Sequence, residues 1–202
     1  HAPSSVIIDL DTLESLPRNE LLASYGEIVK CGFIADEEIL NILERDVNSA
    51  TDIHSAEFRE LIERCVAIKA RVVSEDLKDL GLREILNYGH TLGHAIEHNE
   101  RYQWRHGVAV AIGMVFVAEL AQLAGKLAPE VVDRHRSVLR SLGLPVSYRA
   151  GEFEKLLATM QRDKKSRAGS LRFVVLDSVG KTSVLTAPST EILHAAYQEI
   201  AE

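Results

Sequence analysis

Basic residues are in deficit: 23 Lys and Arg stand against 30 Asp and Glu, for a formal charge of -7. Neutralising a nucleic-acid backbone needs clustered cations in excess, so nucleic-acid binding is not expected, and any anion site must be local. Cysteine is nearly absent. Cys31 and Cys65 both fall within apolar helical patterns, which fits free buried thiols in a reducing, cytoplasmic compartment rather than a disulfide framework. Long hydrophobic runs are missing too. The longest, residues 108–118, is closed by Glu119 and is too short to span a bilayer, so it reads as a buried core helix and no membrane partner is expected. No signal-peptide pattern is read at the start, and the first residue is His1 rather than Met. The chain is expected to begin inside a longer protein.

What remains is 202 residues, 46% of them hydrophobic, enough to bury a full core in one large domain or two small ones. Residues 6–10 are short, apolar and β-branched and read as a buried strand whose sheet neighbours lie elsewhere. Helical periodicity follows over 18–34, with Glu27 and Lys30 three positions apart, ordinarily a surface ion pair. Asp36 reads as the N-cap of a short acidic-started helix, and 48–55 as a loop. The helix over 56–76 has Lys69 within its apolar arc: either a snorkelling side chain or a cation aimed into a site. Helices are expected over 107–127, 129–142, 152–160 and 190–201. Residues 171–176 and 183–186 pattern as a β-hairpin, and 162–169 form a basic loop, either solvated or an anion site.

The most informative stretch is 82–97. Projected as one helix at about 100° per residue, Arg83, Asn87, His90 and His94 fall within an arc of roughly 60°, opposite Leu82, Ile85, Leu92 and Ile96. Gly89 and Gly93 each cost about 1 kcal/mol in a helix relative to Ala, which implies a close approach to the backbone there. A catalytic transition metal takes imidazole and carboxylate ligands and keeps one position open. By spacing alone His90 and His94 look like a two-histidine platform, with His106 and Glu27 as further candidates. The zinc-protease motif is excluded because no Glu follows the first His. His1, His54, His98, His135 and His194 are assigned no role.

The string from Arg83 to Glu97, with Gly26-Glu27-Ile28-Val29-Lys30 upstream and His106-Gly107 downstream, resembles the C-terminal domain of the 3-dehydroquinate synthase family of sugar phosphate cyclases. The resemblance covers essentially the whole chain. It implies a mainly α, multihelical domain with a short N-terminal strand and a late β-hairpin, normally joined to an N-terminal nucleotide-binding α/β domain. Residues 1–17 would be the last strand and linker of that domain, and 18–202 the metal- and substrate-binding domain. The implied metal ligands are Glu27, His90 and His106, overriding the spacing argument. His94, Lys30 and Asn87 would be catalytic, and Lys69, Arg83, Asn87, Lys164 and Lys165 would hold substrate.

The implied cofactors are NAD, bound mainly by the nucleotide domain, and Zn2+ or Co2+. The implied partners are a small phosphorylated sugar acid and a second copy in a homodimer. No Gly-rich NAD segment occurs in these residues, so the chain alone is expected to be inactive. Lys69, Arg83 and Asn87 suit a carboxylate-bearing substrate. The competing readings are another sugar phosphate cyclase, a metal-dependent polyol dehydrogenase and a non-catalytic helical module.

Overall fold

The computed structural model describes residues 5–76, 81–165 and 170–202, without the side chains of 163–165. Nine α-helices and one hairpin occur in it: α1 Arg18–Ala35, α2 Glu37–Arg45, α3 Val47–Ala50, α4 Ala56–Glu75, α5 His90–Asn99, α6 His106–Leu123, α7 Pro129–Ser141, α8 Phe153–Lys165, β1 Arg172–Ser178, β2 Lys181–Thr186 and α9 Thr190–Gln198. The fold is mainly α, as expected.

Its axis is α6. A helix apolar on every side has to be surrounded, and residues 109–118 are all buried. α1, α5, α7, α9 and β1 pack around it. Burial in the chain's own core explains why this 18-residue helix is long and apolar enough to pass for a membrane span. Its one buried acid, Glu119, is matched by Arg136 at 2.6 Å, which answers the cost of a charge in the core.

Two backbone crossings set the spacing of α1, α5 and α6. At Gly26 and Gly107, a Cβ built on Gly107 would lie 1.8 Å from the Ala23 carbonyl oxygen. At Gly89 and Gly113, a Cβ on Gly113 would lie 1.9 Å from the Gly89 carbonyl oxygen. The close approach expected at Gly89 and Gly93 is therefore real, and what approaches is α6.

Local signals explain most boundaries. The Asp36 carboxylate accepts from the Glu38 amide and caps α2, while Ser55 caps α4 through the Phe58 amide. Pro129 opens α7. The hairpin pairs Arg172 with Thr186 through Leu176 with Thr182, with a bulge before Ser178. The Gly180 amide then donates to the Phe33 carbonyl at 2.8 Å, tying the turn to the end of α1.

Four expectations are corrected, the first by α8, which runs on through Lys165 where a basic loop was expected from Arg162. Residues 5–9 form no strand and Leu10–Ser15 is a 3-10 helix. Ile7 is 91% exposed, because a strand needs a neighbour and the hairpin is the only sheet among the described residues. The expected loop at 48–55 contains α3, nucleated by Asp46, whose carboxylate accepts from the Asn48 and Ser49 amides.

The fourth correction concerns 82–97, which is not one helix. A 3-10 helix covers Leu82–Asn87, and a turn through Tyr88 and Gly89, the latter at φ 78°, redirects the chain before α5 starts at His90. A Cβ at Gly89 would also meet the Met114 side chain at 2.8 Å, so both conformation and space demand glycine. The 60° stripe of Arg83, Asn87, His90 and His94 is therefore replaced by two short elements meeting at a corner.

Candidate metal centre

Three elements deliver three ligand-competent side chains to one point. α1 carries Glu27, the first residue of α5 is His90, and the first residue of α6 is His106. The Gly26–Gly107 crossing lies beside two of them, so backbone contact fixes the separation of Glu27 and His106. Glu27 Oε1 is 3.2 Å from His90 Nε2 and 3.4 Å from His106 Nε2. One ligand atom from each lies within 4.8 Å of the others.

The far side of each imidazole is anchored. His90 Nδ1 lies 3.0 Å from the Tyr88 carbonyl oxygen, which can only accept, so Nδ1 donates to it and Nε2 is the nitrogen turned toward Glu27. His106 Nδ1 faces both oxygens of Glu97 at 3.2 Å. Backbone carbonyl and carboxylate are the usual outer partners of metal-bound histidines.

Glu27 Oε2 is occupied by Lys30 Nζ at 2.7 Å. Oε1 is a buried oxygen with no hydrogen-bond partner among the described residues. Leaving a buried carboxylate oxygen unpaired costs a few kcal/mol unless a cation answers it. An orphaned carboxylate oxygen facing two imidazole nitrogens fits a divalent transition metal. Burial alone would raise the Glu27 carboxyl, but the imidazoles of His106 and His90 and the Lys30 ammonium outweigh it and hold it well below the usual carboxylate range. Glu27, and after it Glu97, raises His106 above an ordinary imidazole against the opposing effect of its burial.

His94, one turn along α5, is exposed, with its ring 5.3 Å from that of His90 and 5.9 Å from that of His106. It also belongs to a second grouping, His94, Glu97 and His106, whose ligand atoms lie equally close. In that set, however, Glu97 already accepts from His106. Beside the centre opens a cavity of about 590 Å3 whose lining includes Asn87, His90, His94, His98, Tyr102 and Arg162.

The other expected residues are spread around this point. Lys30 is buried, at 2% exposure, directly behind Glu27. Arg83 is exposed outside the cavity lining, its backbone amide held by Asp76 Oδ2 at 3.0 Å. Lys69 is exposed on α4. Cys31, buried on α1, and Cys65, half-buried on α4, are both free thiols. The side chains of Lys164 and Lys165 lie outside the described residues.

Sequence reasoning passed over Glu97, Tyr88 and His135. Glu97 is on the His94 face of α5, three positions on, which was a usable signal. His135 and Tyr88 had none, because their contact spans 47 positions.

A helical domain that gathers one carboxylate and two anchored imidazoles beside a cavity carries a donor set that could hold a metal ion. The model of the 3-dehydroquinate synthase C-terminal family matches residues 24–166, and the chain belongs to that family.

Its curated relatives include 3-dehydroquinate synthase of Leifsonia xyli subsp. xyli, 62% identical over 201 residues, covering 100% of this chain and 56% of that protein. The enzyme of the same name from Pseudarthrobacter chlorophenolicus is 61% identical over 201 residues, covering 100% and 55%. The chain thus spans about half the length of the curated relatives it matches. Among solved structures, 2-epi-5-epi-valiolone synthase from Streptomyces hygroscopicus subsp. jinggangensis, with NAD+ and Zn2+ bound, has a TM-score of 0.87 at 23% identity, over 96% of this chain and 54% of that one. At that identity the likeness is one of fold. A 2-deoxy-scyllo-inosose synthase complexed with carbaglucose-6-phosphate, NAD+ and Co2+ has a TM-score of 0.78 at 27% identity, over 94% and 55%.

Proposed function

We propose that this chain is the metal- and substrate-binding part of a 3-dehydroquinate synthase, a lyase that converts 3-deoxy-D-arabino-heptulosonate 7-phosphate to 3-dehydroquinate and phosphate in aromatic amino acid biosynthesis. The observation that carries the reading is the convergence of Glu27, His90 and His106 in a chain 62% identical to a relative of that name.

Glu27, His90 and His106 would hold Zn2+ or Co2+, which when bound would supply Lewis acidity to a substrate oxygen, and bound NAD would supply reversible hydride acceptance. NAD is assigned to protein beyond this chain, and the chain alone is read as inactive. A homodimer in the cytoplasm completes the proposal.

The chain's own residues divide the remaining work. His94, exposed beside the cluster, can move a hydroxyl proton, since imidazole titrates near neutral pH. Lys30 neutralises Glu27 from behind and keeps the centre's net charge low enough to admit an anion. Asn87, at the cavity wall, can hydrogen-bond substrate oxygens, and Lys69 and Arg83, exposed outside that lining, are proposed to supply charge for a carboxylate. Lys164 and Lys165 are proposed to reach the phosphate.

The reading is tested by assaying the full-length gene product for phosphate release against several sugar phosphates. Turnover with the heptulosonate phosphate and no net NADH is expected. Release only from a sugar lacking the carboxylate would point to another cyclase, and NADH accumulating with product would point to a dehydrogenase. In the same assay Lys69→Ala is expected to raise KM roughly 10- to 100-fold, the worth of one charge-assisted hydrogen bond, with the α-helical circular dichroism unchanged. Unchanged kinetics would return Lys69 to a snorkelling surface role.

A further inference from the structure

The contacts behind the metal centre form a directed relay. His135 is wholly buried on α7, its ring stacked on Phe33 at 3.4 Å between centroids and 7° between planes. Its Nδ1 lies 2.7 Å from the Val131 carbonyl oxygen, which only accepts, so Nδ1 carries hydrogen and Nε2 is an acceptor. The partner of Nε2 is the Tyr88 hydroxyl at 2.9 Å, which must therefore donate. Burial keeps the imidazole neutral, lowering its pKa to about 3. Tyr88 is equally buried, and it is the residue at the corner between the 3-10 helix and α5. Its carbonyl accepts from His90 Nδ1, and His90 Nε2 faces Glu27 Oε1. Every donor direction along Val131, His135, Tyr88 and His90 is thus determined.

We infer that the Tyr88–His135 pair positions His90, holding the Tyr88 carbonyl where it selects the tautomer and ring orientation that aim Nε2 at Glu27. Tyr88 and His135 are positioning residues and touch no substrate. A tyrosine buried only to fill space would need neither a hydroxyl nor a neutral imidazole 47 positions away; phenylalanine and leucine would pack there without polar atoms to satisfy. The hydrogen bond instead pins the one corner of the backbone whose carbonyl controls a ligand. The inference rests on the reading of Glu27, His90 and His106 as a metal centre.

The test is made on the full-length gene product with Co2+ alone as probe, following affinity by chelator competition, the visible absorption of bound Co2+, and the unfolding temperature. The variants are Tyr88→Phe, the double variant Tyr88→Phe/His135→Leu, and His135→Gln. The double variant removes both partners at once and leaves no orphaned buried atom, so it folds even where a single one is strained. Gln can donate to Val131 and accept from Tyr88.

Outer-shell partners of metal-bound histidines are worth roughly 10- to 100-fold in metal affinity, and a group one step further out is expected to be worth roughly 3- to 30-fold. Tyr88→Phe and the double variant should both bind Co2+ that much more weakly, with altered absorption bands, and His135→Gln should stay within about twofold of the parent. Variants with parental affinity and spectrum, whatever their unfolding temperature, would show that the pair only stabilises the fold. Equal loss in His135→Gln would transfer the effect to the stack on Phe33 and overturn the hydrogen-bond relay. Failure of the unaltered protein to take up Co2+ would overturn the metal reading, and this inference with it.

Discussion

His106→Ala is expected to reduce bound divalent metal from near one ion per chain to near zero after dialysis, whereas His94→Ala should keep the metal and lose turnover by roughly 10²- to 10⁴-fold. The contrast follows from which acceptors are already engaged. His106 is common to both groupings that could hold an ion, so its loss dismantles either one. His94 belongs only to the grouping with Glu97, and the Glu97 carboxylate is already turned to His106 Nδ1 at 3.2 Å. Glu27 offers instead a buried oxygen with no hydrogen-bond partner among the described residues, 3.2 Å from His90 Nε2. The ion should therefore sit with Glu27, His90 and His106, leaving His94 beside it to handle protons. Elemental analysis of the two dialysed variants decides the matter. Metal lost from His94→Ala and kept by His106→Ala would reverse the assignment.

The same centre marks how far local patterns reach. Most helices of the domain were legible because their apolar positions repeat at helical spacing, and Asp36 marked the start of α2. The hairpin was legible from its turn chemistry. The ligand set was not legible from spacing, which favours the i, i+4 pair His90 and His94. Glu27 reaches His90 only because α1 and α5 both pack on α6, a tertiary fact that no local window holds. The family resemblance named the trio where periodicity could not.

The corner at Gly89 was hidden for a related reason. A projection at a fixed angle assumes every residue is helical, and one positive φ breaks the phase between Asn87 and His90. The glycines themselves were read correctly as sites of close approach, although their partner proved to be α6 rather than a ligand. Residues 6–10 carry strand-forming side chains without a strand, since β structure depends on a neighbour and helix formation does not.

Gly107→Ala is the second large effect expected, and its sign separates two kinds of reasoning. By helix propensity alone, Ala in place of Gly in the first turn of α6 should stabilise by up to about 1 kcal/mol. Packing opposes this. The new methyl would stand 1.8 Å from the Ala23 carbonyl oxygen and 2.9 Å from its carbon, both backbone atoms of α1 that no rotamer change can move aside. Relief requires α1 and α6 to separate, at a cost of about 3 kcal/mol or more, which exceeds the propensity gain. Thermal unfolding should fall by roughly 6–12 °C for a chain of this size. Because Glu27 follows Gly26 and His106 precedes Gly107, the same displacement should open the Glu27–His106 approach from 3.4 Å and weaken metal binding in parallel. Gly125→Ala is the control: its penalty comes from the backbone at φ 70° rather than from packing, it meets nothing within 4 Å and it lies past the far end of α6, so it should cost about 1–2 kcal/mol and leave metal affinity unchanged. A Gly107→Ala protein that is more stable than its parent, with its metal intact, would mean that α1 and α6 do not touch at this crossing, and that something other than glycine contact brings Glu27 to the histidines.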